Sequence, residues 1–202
     1  SWMNQLPRGN HKTVIYYPID GAPLHPSWRR LLHHTDLPIA YSHFGYDLVK
    51  KTFPDVHTEM IYHGIDTDVF RPLPNKEAIK EKHHLNGKFV VGCVARNQPR
   101  KQLPILIKAF AKFCADKNDV ALYMHTNPND IGWDLHELIQ RYRLGPYTRF
   151  TRSHSITQGV SAAELNEIYN LFDVMALPSA GEGFGLPLAE AMAAGVPPIT
   201  TN

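Results

Sequence analysis

From Lys88 onward, strand-like and helix-like segments alternate without a break, and this alternation limits the fold more than any other feature. The run Phe89-Val90-Val91-Gly92-Cys93-Val94-Ala95 has no polar alternation, as expected of a strand buried on both faces. Further strands are expected at 120–125, 149–152, 174–177 and 198–200. Between them the pattern predicts helices over 103–115, 134–144, 161–172 and 186–194. Pro104 falls in a first turn, where its missing N–H does no harm. Ser161 and Glu164 have capping-box spacing, and Gly145 with Pro146 and Gly195 supply stop signals. Successive strand–helix–strand units imply a doubly wound, Rossmann-like α/β fold with a mostly parallel sheet and helices on both faces.

Before Lys88 the same alternation is looser. Strands are expected at 13–19, 37–42 and 60–62, with helices at 26–34 and 46–53. These make a partial second Rossmann-like unit. The stretch Arg71-Pro-Leu-Pro-Asn75 predicts a linker, because its prolines remove donors and restrict their neighbours. Near the end, Ile199-Thr-Thr-Asn202 begins a strand with no helix to cover it, so a longer protein or a completing partner is expected.

Composition narrows the function classes. A formal charge of +2 argues against a broad nucleic-acid-binding face. The apolar runs are strand-sized and too short to span a bilayer. No basic segment followed by an apolar one opens the chain, so no signal peptide is expected and the location should be cytoplasmic. Cys93 and Cys114 lie in apolar stretches without C-x-x-C spacing and are expected as reduced, buried thiols. The pairs His33-His34 and His83-His84 diverge on a helix and make no two-ligand face, so no metal is expected.

In an open parallel sheet, ligands bind beyond the carboxyl ends of the strands. The loop after Ala95 reads Arg96-Asn-Gln-Pro-Arg-Lys101, placing cations just before a helix N-terminus. That is locally unfavourable, and a bound diphosphate would relieve it; a solvated basic turn fits the same residues. The loop after Pro178 reads Ser179-Ala-Gly-Glu-Gly-Phe-Gly185 and enters a helix. Its glycines let a ligand approach the main chain, and its amides with those of the helix make an anion cradle. Glu190 leans back toward the helix start, so Glu182 and Glu190 could accept hydrogen bonds from sugar hydroxyls. The alternative is a glycine-rich turn followed by an ordinary helical glutamate.

These residues carry a resemblance. Glu182 to Glu190, inside Pro178-Ser-x-x-Glu-Gly-Phe-Gly-Leu-Pro187, resembles the E-x7-E motif of retaining glycosyltransferase family 4, whose fold is GT-B. Arg96 and Lys101 resemble the basic loop after the first donor-domain strand, and 161–179 the elements before the motif. His63-Gly-Ile-Asp66 resembles the family's interdomain turn, with His63 in place of Asn. The resemblance implies that residues 1–58 end an acceptor-side domain and that 59–202 form a nucleotide-sugar donor domain.

It also implies roles. Arg96 and Lys101 would hold the diphosphate and stabilise charge on the leaving group. Glu182 would bind sugar hydroxyls as the catalytic acidic residue. The amides of Gly183, Phe184, Gly185 and Leu186 would contact phosphate or sugar, Glu190 the ribose, and Thr151, Arg152, Ser153 and His154 the base. The expected partner is a nucleotide sugar with an unidentified acceptor, without metal or other cofactor and without nucleic acid. Membrane association occurs among such enzymes, but no basic amphipathic helix here demands it. Asp20 could line the cleft or cap the loop that follows it. The family's early glycine-rich loop and acceptor-side histidine are not found and are expected upstream. Two rival readings share the pocket: a non-catalytic sugar-nucleotide-binding module and a nucleotide-sugar 2-epimerase-like protein.

Overall fold

The structure is a computed structural model that describes residues 11–151 and 159–201. The chain divides into two compact units, Ser1–Gly64 with Gly181–Gly185, and Ile65–Ala180 with Leu186–Asn202.

In the first unit, β1 (Val14–Tyr17), α1 (Ser27–His33), β2 (Leu37–Ala40), α2 (His43–Thr52) and β3 (Glu59–Met60) follow in order. The strands form a parallel sheet ordered β1-β2-β3. Tyr17, Ile19, Leu32, Ala40, Val49 and Val56 form its core. Ser42 caps α2 by accepting from the Gly45 N–H, which starts the helix at His43 instead of the expected Tyr46.

The second unit contains α3 (Lys76–Lys82), β4 (Phe89–Val94), α4 (Leu103–Phe113), β5 (Val120–His125), α5 (Leu135–Arg141), β6 (Thr148–Phe150), α6 (Ala162–Leu171), β7 (Val174–Leu177), α7 (Leu186–Ala193) and β8 (Pro198–Thr200). Its strands form a five-stranded sheet in the order β6-β5-β4-β7-β8, every pair parallel. This is the expected doubly wound α/β architecture. The strand order, with the right-handed crossovers usual for parallel strands, pairs α4 with α5 on one face and α6 with α7 on the other, and the helices touch in those pairs. The central strand β4 is buried from Val90 to Val94, in keeping with its unbroken apolar run. Gly92 lies opposite Phe172, whose ring fills the space a β-carbon would need.

Helix ends follow local chemistry. Ser161 and Glu164 form the expected capping box: Ser161 N–H donates to Glu164 at 2.8 Å, and Glu164 N–H to Ser161 Oγ at 3.3 Å. Gly195, at φ 78°, ends α7 with Val196 N–H donating back to Ala191. Helix α5 stops at Arg141, earlier than the Gly145-Pro146 signal predicted. Arg143 takes the left-handed conformation at φ 56°, and Leu144 N–H reaches the Ile139 carbonyl, closing the helix.

Helix α3 was not expected. Its sequence, Lys76-Glu-Ala-Ile-Lys-Glu-Lys82, is mostly charged, so its apolar stripe is thin. It is fixed instead by Lys80, which is buried and donates to Asp173 Oδ2 at 2.8 Å and to the Lys88 carbonyl at 2.9 Å. The expected linker 71–75 is also held. Asn166 and Asn170 on α6 accept from the N–H groups of Arg71 and Leu73, and Asn170 donates to the Arg71 carbonyl. The prolines there leave few main-chain donors, and the asparagines use those that remain. No helix among the described residues is long and apolar enough to cross a membrane.

Candidate functional site

The strand order of the second unit reverses between β4 and β7: the chain moves outward from β4 through β5 to β6, then returns to β7 on the other side. Such a reversal opens a crevice at the carboxyl ends of the two central strands. The loop after β4 carries Arg96 to Lys101, with a 3-10 helix over Pro99–Lys101. The loop after β7 leads toward α7. The two loops are joined by Ala180 N–H donating to the Arg100 carbonyl at 2.8 Å.

Arg96 and Lys101 sit differently. Arg96 is exposed and forks onto Asp130, with Nε and Nη2 at 2.9 and 3.0 Å from the carboxylate oxygens. The Asp130 side chain is only 4% exposed, so the carboxylate is the fixed member of the pair. Hydrogen bonds from Arg96 and from the Ile131 N–H hold that carboxyl below the usual range. The protein thus supplies an anion of its own for one of the loop cations. Lys101, the last residue of that 3-10 helix, is buried at 7% exposure. Burial pushes the Cys93 thiol up to about 12, against the opposing pull of the Lys101 charge. Cys93 and Cys114 are both free and buried, as expected.

Asn97 holds this loop in shape. It is fully buried, and its side-chain amide donates to the carbonyls of Pro128 and Trp133 at 3.2 and 2.7 Å. Its oxygen accepts from the Trp133 N–H at 3.0 Å. The Arg96 loop is therefore braced by the loop after β5, which also carries Asp130. Neither residue was singled out from sequence. The signal available was the turn-rich Thr126-Asn-Pro-Asn-Asp130 at the same sheet edge.

Glu190 lies in the second turn of α7, half-buried. The fully buried Tyr169 on α6 donates its hydroxyl to Glu190 Oε2 at 2.6 Å. Burial raises the Glu190 carboxyl, and the Tyr169 hydrogen bond offsets part of that. Leu186 opens α7, so its N–H has no acceptor within the helix itself. Thr151 follows β6 and its hydroxyl pairs with His125 Nδ1 at 3.0 Å. Arg152, Ser153 and His154 lie outside the described residues.

The segment Gly181–Gly185 belongs to the first unit. Positive φ occurs only at Gly185 among its glycines, at 85°. Gly181 and Gly183 are small for another reason. A β-carbon at Gly181 would strike the Asp20 carbonyl, and one at Gly183 would fall 2.6 Å from the Tyr41 hydroxyl and 2.7 Å from Pro18 Cβ. Phe184 stands edge-on to His63 at 5.4 Å and to Tyr41 at 6.5 Å, while His63 stacks on Tyr41. So a left-handed backbone calls for glycine at 185, whereas tight packing accounts for Gly181 and Gly183. His63 of the His-Gly-Ile-Asp turn and Asp20 both meet this segment, the latter through its backbone.

A separate cavity of about 350 Å³ opens beside α6, lined by His83, His84, Tyr123, Arg149, Thr151 and Glu167 among others. Among the described residues no cluster of three or more His, Cys, Asp or Glu side chains is placed to hold a metal ion.

Comparison with known proteins bears on the fold and the family. The chain is 30% identical over 190 residues to a GDP-mannose-dependent alpha-(1-6)-phosphatidylinositol monomannoside mannosyltransferase of Mycobacterium tuberculosis, covering 86% of this chain and 46% of the relative. Among solved structures it resembles sucrose-phosphate synthase from Thermosynechococcus elongatus, with a TM-score of 0.77, 21% identity, and coverage of 98% of this chain and 52% of that one. It also resembles Anabaena HepE in complex with UDP and glucose, with a TM-score of 0.70, 23% identity, and coverage of 88% and 48%. The chain spans about half the length of the curated relatives it matches. The family model described as glycosyl transferases group 1 matches residues 75–202, more than half of the chain, and the chain belongs to that family.

Proposed function

We propose that this chain carries the donor-binding half of a retaining glycosyltransferase of family 4, with 59–202 as the donor domain. The enzyme would move a sugar from a nucleoside-diphosphate sugar to an acceptor hydroxyl. The observation that supports this most is the pair of joined loops at the switch point of the five-stranded sheet, one bearing Arg96 and Lys101 and the other leading to the N-terminus of α7.

In this reading Lys101 and Arg96 neutralise the diphosphate. As the bond from the sugar C1 to the phosphate oxygen breaks, negative charge grows on the departing nucleoside diphosphate. Fixed cations there stabilise the transition state more than the ground state. Arg96 keeps donors beyond the two it gives Asp130, so it can bind phosphate without leaving its anchor. The N–H groups of Gly183, Phe184, Gly185 and Leu186 contact phosphate or sugar, and Glu182 accepts from sugar hydroxyls. Glu190 accepts from the ribose, and the base lies toward Thr151 and the residues after it. The acceptor oxygen arrives on the face the diphosphate leaves, which retains the anomeric configuration. The resemblance of the stretch from Glu182 to Glu190 to the E-x7-E motif of retaining enzymes supports that stereochemistry.

The base is a matter for experiment, because the relatives named above include a GDP-mannose-dependent enzyme and a UDP-bound one. Calorimetry with UDP, GDP and ADP and their sugar conjugates tests the reading. One of them should bind, and Arg96→Ala with Lys101→Ala should abolish binding. No binding by any nucleotide sinks the donor site; binding that survives the double variant sinks the diphosphate assignment.

A further inference from the structure

We propose that Tyr169 is a positioning residue for the donor nucleoside, setting the Glu190 carboxylate so that it discriminates ribose from a sugar lacking vicinal hydroxyls. The inference rests on the donor-site reading above. Glu190 is on a helix of eight residues and is half-exposed, so packing alone does not fix its rotamer. What fixes it is the phenol of Tyr169, reaching from α6 to Oε2 at 2.6 Å. That phenol is itself immobile. Tyr169 is fully buried, standing edge-on to Phe70 at 6.0 Å and to Phe172 at 6.1 Å.

The chemistry of the pair favours this use. The tyrosine stays protonated, because burial and the neighbouring Glu190 carboxylate both raise its pKa. It therefore acts only as a donor toward Glu190. The bond occupies one of the carboxylate's several lone-pair sites and leaves the others to accept from a diol. An acceptor pair held at fixed orientation binds two adjacent hydroxyls at less entropic cost than a free glutamate would. Supporting groups behind a ligating side chain commonly act in this way.

The test compares UDP and GDP with their 2′,3′-dideoxy forms by calorimetry, on wild type and Tyr169→Phe. The substitution removes one oxygen and keeps the ring packing. We expect the preference for the ribonucleotide to fall roughly three- to tenfold, as for loss of one buried hydrogen bond, with dideoxy affinity unchanged. In a Glu190→Ala background, Tyr169→Phe should change neither. An unchanged preference overturns the proposal, and so does equal weakening of both nucleotides, which marks a merely structural tyrosine. If wild type binds none of the four, the donor-site reading fails and this inference falls with it. If it binds them without preferring ribose, this inference and the Glu190–ribose contact fail together, while the diphosphate site stands.

Discussion

Replacing Lys80 by methionine keeps the aliphatic stem and deletes a buried ammonium. Lys80 is 4% exposed, and its Nζ donates to Asp173 Oδ2 at 2.8 Å and to the Lys88 carbonyl at 2.9 Å. Removing one member of a buried ion pair typically costs about 3–5 kcal/mol, because the other is left without compensation. Here the loss is smaller. The Asp173 side chain is 21% exposed, keeps Lys76 at 2.9 Å, and still accepts from the Val90 N–H at 2.7 Å. We therefore expect about 2–3 kcal/mol, or a urea midpoint lower by about 1 M at a slope of about 2–3 kcal/mol per M. Circular dichroism through a urea titration measures this. Burial raises the Asp173 carboxyl, but hydrogen bonds from Lys80, Val90 and Lys76 outweigh it and leave the pKa below the ordinary value. A lowered folded-state pKa means stability present above the unfolded value and lost as pH falls through the folded one. The difference between wild type and variant should thus be full at neutral pH and narrow only below the usual aspartate range. A Lys80→Met midpoint within about 0.5 kcal/mol of wild type would refute the view that this pair anchors α3.

Three further outcomes are expected. Asn97→Ala should cost about 2–3 kcal/mol in urea titrations, since it orphans the Pro128 and Trp133 groups it bonds; a near-neutral result would mean that water replaces them. Gly92→Ala should destabilise by about 1–3 kcal/mol or more, because the new methyl meets the buried Phe172 ring; Phe172→Leu in the same chain should recover part of the loss, and no recovery would place the strain elsewhere. Glu190→Gln should raise the melting temperature at neutral pH. The folded carboxyl pKa is raised, so wild type loses stability as pH rises through it, and the gain should vanish in melts below the ordinary glutamate value.

Much of the fold was legible because its strands and helices announce themselves through period and punctuation. The apolar run of β4, the capping box at Ser161 and the stop at Gly195 are local signals, and each appears where local chemistry requires. Helix α3 and the early end of α5 were not legible. The first depends on Lys80 meeting Asp173, far along the chain, and the second on a left-handed Arg143 that no propensity favours. At the candidate site, Arg96, Lys101 and Glu190 could be named from motif and spacing. Asp130, Asn97 and Tyr169 could not, because what matters about them is a partner brought near by strand order. The glycines of 181–185 show the reverse: they stood out in sequence, yet two of the three are explained by close packing on Asp20, Pro18 and Tyr41.

The central claim is that a nucleoside diphosphate binds at the carboxyl ends of β4 and β7. A crystal structure of the chain with the tightest-binding nucleoside diphosphate tests it most directly. We predict the diphosphate within hydrogen-bonding reach of Arg96 and Lys101, with the ribose hydroxyls on Glu190. A nucleotide whose diphosphate lies out of reach of both Arg96 and Lys101 would contradict it.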